Sequence, residues 1–154
     1  MTASSSAAAF AGIAALMFAT GIGIPLMATL NAGLGQHLGS PAAATAALFA
    51  GGLLLSCLTL AFTGLPRAGS VAATPAYLYA GAVFVVFYIL SITWAAPRIG
   101  VGNAVFFVLL GQLIAAAAID HLGLFGALRT AITARRVLGL TVMAVGVYLA
   151  RKPR

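Results

Sequence analysis

The sequence predicts an all-α integral membrane protein, five transmembrane helices in a single domain over residues 1–154. Three observations predict it. Apolar residues make up 63% of the chain, well above the share a soluble domain carries. One acidic residue, Asp120, stands against eight Lys and Arg, so too little polar surface exists to cover a water-facing globule. The apolar residues also fall into five runs, separated by short connections rich in Gly and Pro.

Crossing about 30 Å of hydrocarbon takes about 20 helical residues. The first span is expected over about Ala8 to Leu30. The ten residues MTASSSAAAF contain no Lys or Arg, which argues for a permanent span rather than a cleaved signal peptide. Gly21, Gly23 and Pro25 lie within it. A proline there removes a backbone donor and crowds the carbonyl of Gly21, so these three form the expected hinge. Asn31 follows at the span's end, either as a helix cap or as a polar group in a substrate cavity.

The second span is expected over about Ala42 to Leu65, after the connection NAGLGQHLGSP. Gly52, Ser56, Thr59 and Thr63 share one of its faces. That stripe reads either as a packing seam, with hydroxyls bonded to carbonyls four residues back, or as a cavity lining that includes Ser56. The third span covers about Ala76 to Ala96. Tyr77, Gly81, Phe84, Tyr88 and Ser91 lie on one face, which reads either as a pocket centred on Tyr88 or as interfacial anchoring by Tyr77 and Tyr79 with Tyr88 in the core, and Trp94 is a belt residue. The connection after it is Pro97–Arg98.

The fourth span covers about Gly100 to Ile119 and opens near Asn103, again a cap or a cavity amide. Gln112 sits near its middle. An amide at that depth needs a partner, as helix-to-helix glue or as a ligand to a solute. Asp120 ends the same helix about 12 Å further along its axis, at headgroup level. Two roles stand open for it: a coupling or gating carboxylate, or an interfacial partner of Arg129, Arg135 or Arg136. The loop His121–Thr133 is the longest and has room for a short interfacial helix. The fifth span, about Val137 to Ala150, reaches only about 21 Å, unless it starts nearer Ala131 or its flanking arginines snorkel. Gly139 and Gly146 give it a smooth face suited to a dimer contact or to packing within one protomer.

The charges bear on orientation. With five spans, one side carries Arg67, Arg129, Arg135 and Arg136, and the other carries Arg98, Arg151, Lys152 and Arg154, four against four. The rule that places basic residues in the cytoplasm then has nothing to choose between. The expectation is dual topology, copies inserted both ways and paired as an antiparallel homodimer in the lipid bilayer; the alternative is a fixed orientation set by loop details or by a differently oriented partner chain. Such a pair has the symmetry of inverted-repeat transporters, whose halves exchange conformations to open a central site to alternate sides.

Several functions are excluded. The basic residues form no stripe and no interleaved aromatic platform, so nucleic acid is not an expected partner. No paired carboxylates, nucleophile–base pair or phosphate-cradling glycine loop is present, so no catalytic residue and no enzyme activity is expected. Cys57 is alone, and His37 and His121 lack metal-ligand companions, so neither metal nor cofactor is expected.

The runs NAGLGQHLGSPAAA at Asn31–Ala44, PRIGVGNAVFFVLLGQLIAAAAIDHLGLFG at Pro97–Gly126 and RRVLGLTVMAVGVYL at Arg135–Leu149 complete the picture. Together they resemble the small YdcZ-like branch of the drug/metabolite transporter superfamily. The resemblance implies a five-helix half-size unit in a bacterial inner membrane, a transport-like fold and pairing of two copies. It marks Asn31, Gln112, Asp120 and His121 as positions of interest. The superfamily's four-helix exporters use a carboxylate in their first helix. The first span here has no acid, so their proton-coupled cation mechanism does not carry over. The expected function is a secondary transporter of a small solute working by alternating access. The alternatives are a dual-topology ion channel and an accessory membrane assembly protein.

Overall fold

The computed structural model describes residues 3–150. Arg151, Lys152 and Arg154 of the charge count lie outside the described residues. All regular structure among them is helical. Helix α1 runs over Ala3–His37, α2 over Pro41–Thr63 and α3 over Ala68–Ala72. A 3-10 turn at Ala76–Ala80 leads into α4, Gly81–Ile99. Then come α5 at Val101–Leu122, a second 3-10 turn at Leu124–Gly126 and α6 at Ala134–Ala150. The chain divides into two compact units, Met1–Arg98 and Ile99–Arg154.

Four segments are long and apolar enough to cross a membrane: Ala8–His37, Pro41–Thr63, Ala76–Ile99 and Val101–Leu122. Helix α6 has 17 residues, about 25 Å of rise. It begins at Ala134, three residues before the expected start.

Two boundaries differ from the sequence expectation in an informative way. The expected first span stops at Leu30, with Asn31 as a candidate cap. Instead α1 continues through Asn31 to His37, and Asn31 is 3% exposed within it. The polar, glycine-rich run NAGLGQH reads as a loop until its amide finds a partner inside the protein. The third connection is expected at Pro97–Arg98, but α4 carries both residues, and the break comes at Gly100, whose φ of 85° an L side chain rarely adopts. A proline in the last turn of a helix displaces few hydrogen bonds, so it does not end this one. Other ends shift as well: α1 starts at Ala3, α2 stops at Thr63, α4 proper starts at Gly81 after the 3-10 turn, and α5 runs on to Leu122.

Each unit has a small core of small residues. In the first, Ala28, Asn31, Ala32 and Gly35 of α1 recur at three- and four-residue spacing, and all are buried. Helix α4 repeats the pattern with Ile89, Ile92, Thr93 and Ala96, and α2 contributes Ala44 and Thr45. Alanines and glycine at these positions let helix backbones approach closely, which is how helices associate in lipid. Gly35 shows the constraint. A Cβ added there would sit 3.1 Å from Thr93 Cγ2 and 3.5 Å from Pro41 Cα. In the second unit Ala104 and Ala117 of α5 and Val147 of α6 are buried. The large apolar side chains, Phe18, Leu53, Phe62, Phe84 and Phe87 among them, are exposed. That distribution suits a chain whose solvent is hydrocarbon.

Candidate functional site

In the first unit the interior is organised by one hydrogen bond. Asn31 Nδ2 donates to Thr93 Oγ1 at 2.6 Å, joining α1 to α4 across 62 residues of sequence. Both side chains are almost fully enclosed, at 3% and 2% exposure. The bond gives each side chain a neutral partner, which lowers the cost of burying polar groups in an apolar interior.

Thr93 differs from most hydroxyl residues of the helices. Thr20, Thr29, Thr45, Ser56, Thr59, Thr63 and Thr141 each donate to the carbonyl four residues back, at 2.8 to 3.0 Å. Such bonds keep a hydroxyl quiet inside its own helix. Thr93 instead accepts from Asn31, which leaves its own proton uncommitted.

A cavity lies on either side of this pair. One, about 470 Å³, is lined by Asn31 together with apolar groups, Leu30, Leu34, Leu48, Gly51 and Leu55, between α1 and α2. The other, about 380 Å³, is lined by Thr93 with Gly35, Gln36, Pro41, Pro97 and Arg98, where α1 and α4 end and α2 begins. The Arg98 guanidinium lies 4.3 Å from the centre of the Trp94 ring, and its Nη1 donates to the Trp94 carbonyl oxygen.

The second unit holds a different arrangement at the C-terminal end of α5. Asp120 Oδ2 accepts from Arg136 Nη2 at 2.7 Å, so of the three arginines that the sequence offers it, Arg136 is the partner. The chain leaves α5 through Gly123 in the left-handed conformation (φ 65°), whose N–H closes on the Ile119 carbonyl. It then folds back. Thr130 N–H donates to the Asp120 carbonyl at 2.8 Å, and Ile132 N–H donates to His121 Nδ1 at 3.1 Å. Thr133 Oγ1 accepts from Arg136 N–H at 3.2 Å at the start of α6. The expected interfacial helix in this loop is only a 3-10 turn, Leu124–Gly126, with Phe125 at a positive φ of 56°.

The remaining expected residues are placed as follows. Gln112 is exposed on α5, with no hydrogen bond among the described residues. The Tyr88 hydroxyl is the one buried side-chain polar atom without a partner among the described residues. Ser56 is exposed and bonded to Gly52 O at 2.8 Å, and lines neither cavity described above. Asn103 does not cap α5. The cap position is Gly100, and Asn103 Nδ2 donates back to the Ile99 carbonyl at 2.9 Å, satisfying the end of α4. Gly21 and Gly23 have open space around them, and α1 passes Pro25 without interruption. Gly139 and Gly146 lie exposed on α6, while Ala144 and Val147 of the same helix face Phe107 and Leu110 of α5.

The structure thus joins Asn31 to a residue that sequence reasoning missed. Thr93 carries only the weak signal of a hydroxyl amid SITW, and Gln36 and Arg98 read as loop residues.

A family model described as "Putative inner membrane exporter, YdcZ" matches residues 12–149. The chain belongs to this YdcZ family. As a family member it is an inner-membrane protein of a transporter family rather than of an enzyme family. The match runs through both units and takes in Asn31, Thr93, Arg98, Gln112, Asp120 and His121. Neither the curated proteins nor the solved structures contain a match.

Proposed function

We propose that the protein is a secondary transporter of a small solute, with the two cavities beside Asn31 and Thr93 as parts of its solute path. The observation that carries this is a neutral, buried hydrogen bond between two helices long enough to span a membrane, with one cavity lined by its donor and another by its acceptor. A neutral pair can open and close without separating charges in a low-dielectric interior, so it suits a gate.

The working unit in this reading is an antiparallel homodimer in which the whole chain acts as one membrane domain and α6 makes the fifth crossing. The balanced charge count supports insertion in both orientations. Arg135 and Arg136 begin α6 and can reach headgroups by snorkelling, which makes up for its short length. The open face of α6 at Gly139 and Gly146 supports a helix contact with the second copy. Alternating access follows from exchange of conformation between the two copies. Gln112 and Tyr88, whose polar groups have no partner within the described chain, are the further side chains available to solute or partner.

The test is flux into proteoliposomes across a panel of cationic, neutral and anionic solutes. Saturable uptake with trans-stimulation is expected, and Asn31→Ala should reduce it at least tenfold in folded protein. Inert vesicles, or conductance too large for a turnover cycle, would refute transport. Tags at both termini should each be accessible from both membrane faces. One-sided labelling would refute the antiparallel pair.

A further inference from the structure

We propose that the cavity at Gln36, Thr93 and Arg98 binds an oxyanion, the carboxylate or phosphate group of the solute. The inference deepens the transport reading, on which it rests for the word solute. The binding chemistry stands apart from it.

The cavity is most informative for what it lacks. No Asp or Glu occurs anywhere in Met1–Arg98, so no carboxylate of that unit can neutralise Arg98. The single acid of the chain, Asp120, is already held by Arg136 in the other unit. Arg98 therefore lines its cavity as a cation whose charge is balanced by nothing in its unit. The indole of Trp94 and the Trp94 carbonyl orient it, but neither carries a countercharge.

The donors then decide the class. The Arg98 guanidinium has five N–H groups, of which one serves Trp94. Gln36 offers an amide NH2. Thr93, 2% exposed, has its oxygen occupied by Asn31 and its proton free, so it too presents a donor. Most local acceptors are spoken for. The carbonyls of Leu34, Gly35 and Gln36 take the N–H groups of Leu38, Ser40 and Gly39 at 2.9 to 3.2 Å. The exception is the Thr93 carbonyl, to which Pro97 supplies no N–H. A cation entering this space would meet a positive charge and two neutral acceptors, the Thr93 carbonyl and Gln36 Oε1, with no carboxylate. An oxyanion would meet one full positive charge and two further donors, the pattern that holds carboxylate and phosphate groups.

Trp94, the one tryptophan of the chain, makes the test direct, because it lies against Arg98. The full chain is purified in maltoside micelles, which carry no phosphate. Its fluorescence is titrated with inorganic phosphate and with succinate at constant ionic strength, chloride being the replacement. A saturable change is expected. R98Q should weaken it at least tenfold, R98K should keep it at lower affinity, and R67Q should leave it unchanged. A second arm compares nanodiscs of phosphatidylcholine and phosphatidylglycerol. A response confined to the anionic lipid would uphold the oxyanion chemistry and assign it to a headgroup rather than to a soluble solute. No saturable response in either arm, or one that R98Q retains in folded protein, would overturn the proposal. In that case, saturable uptake of a neutral or cationic solute would leave the transport reading standing.

Discussion

The two units handle polar groups in opposite ways. In the first, Asn31 and Thr93 are neutral, fully enclosed and joined by one bond between helices. In the second, Asp120, His121 and Arg136 gather at a helix end, where each is tied to something: the carboxylate to the guanidinium, the imidazole to Ile132 N–H, the Asp120 carbonyl to Thr130. The contrast follows from the cost of burying charge. A neutral pair loses little on leaving water, whereas an ion pair stays where side chains are a third exposed, here 32% and 38%. It also separates two roles. The second unit closes a loop with groups that satisfy one another. The first leaves a hydroxyl proton, an amide and most of a guanidinium facing open volume, and unspent donors are what a ligand uses.

The comparison breaks most severely at Gly35. Gly35→Leu puts a branched side chain where even a Cβ sits 3.1 Å from Thr93 Cγ2. The overpacking should destabilise the first unit by about 2–3 kcal/mol or prevent folding, while Gly35→Ala costs less because a methyl group can yield. Denaturant titration in detergent measures it. Equal stability of Gly35→Leu and wild type would show that α1 and α4 do not pack this closely.

The next effect concerns the neutral pair itself. Thr93→Val leaves the Asn31 amide unpaired and should cost about 1 kcal/mol, in line with hydrogen bonds between membrane helices. Asn31→Leu combined with Thr93→Val should recover much of that, since both polar groups are gone. A double-mutant cycle with no coupling would dissolve the distinction between the units. Uptake gives a second readout: the double variant should be stable yet slow.

Asp120→Asn should matter less. An ion pair at this exposure is worth about 0–1 kcal/mol, and flux should be largely retained. Complete loss of flux in folded Asp120→Asn would move the working site to the second unit.

The smallest effect is local. His121 accepts from Ile132 N–H through Nδ1, which requires that nitrogen to be unprotonated. His121→Phe removes this acceptor, so the hydrogen-exchange protection factor of Ile132 should drop, with Asn31 and Thr93 unaffected. Protection equal to wild type would show that the bond does not hold the loop.

Much of this architecture is legible in the order of the amino acids. The helices fall where the apolar runs fall, because a bilayer demands about 20 apolar residues per crossing. The self-bonded hydroxyls of Ser56, Thr59 and Thr63 follow from their setting within one helix. Errors collect where local signals meet a distant partner. Asn31 and the glycines after it look like a loop, and Pro97 looks like a stop, on local rules alone. Asn103 looks like a cap but satisfies the previous helix.

What the sequence by itself determined was the solvent: a chain with one acid and five apolar runs must place its backbone bonds inside helices and its large side chains against lipid. It also determined the family, through residues strung along most of the chain. The tertiary structure decided which polar groups meet. Helical periodicity names the face on which Asn31 lies, but not that Thr93, 62 residues away, lies opposite it. Pairing between helices depends on how closely backbones can approach, which Gly35 and its alanine neighbours set only once all three helices are in place.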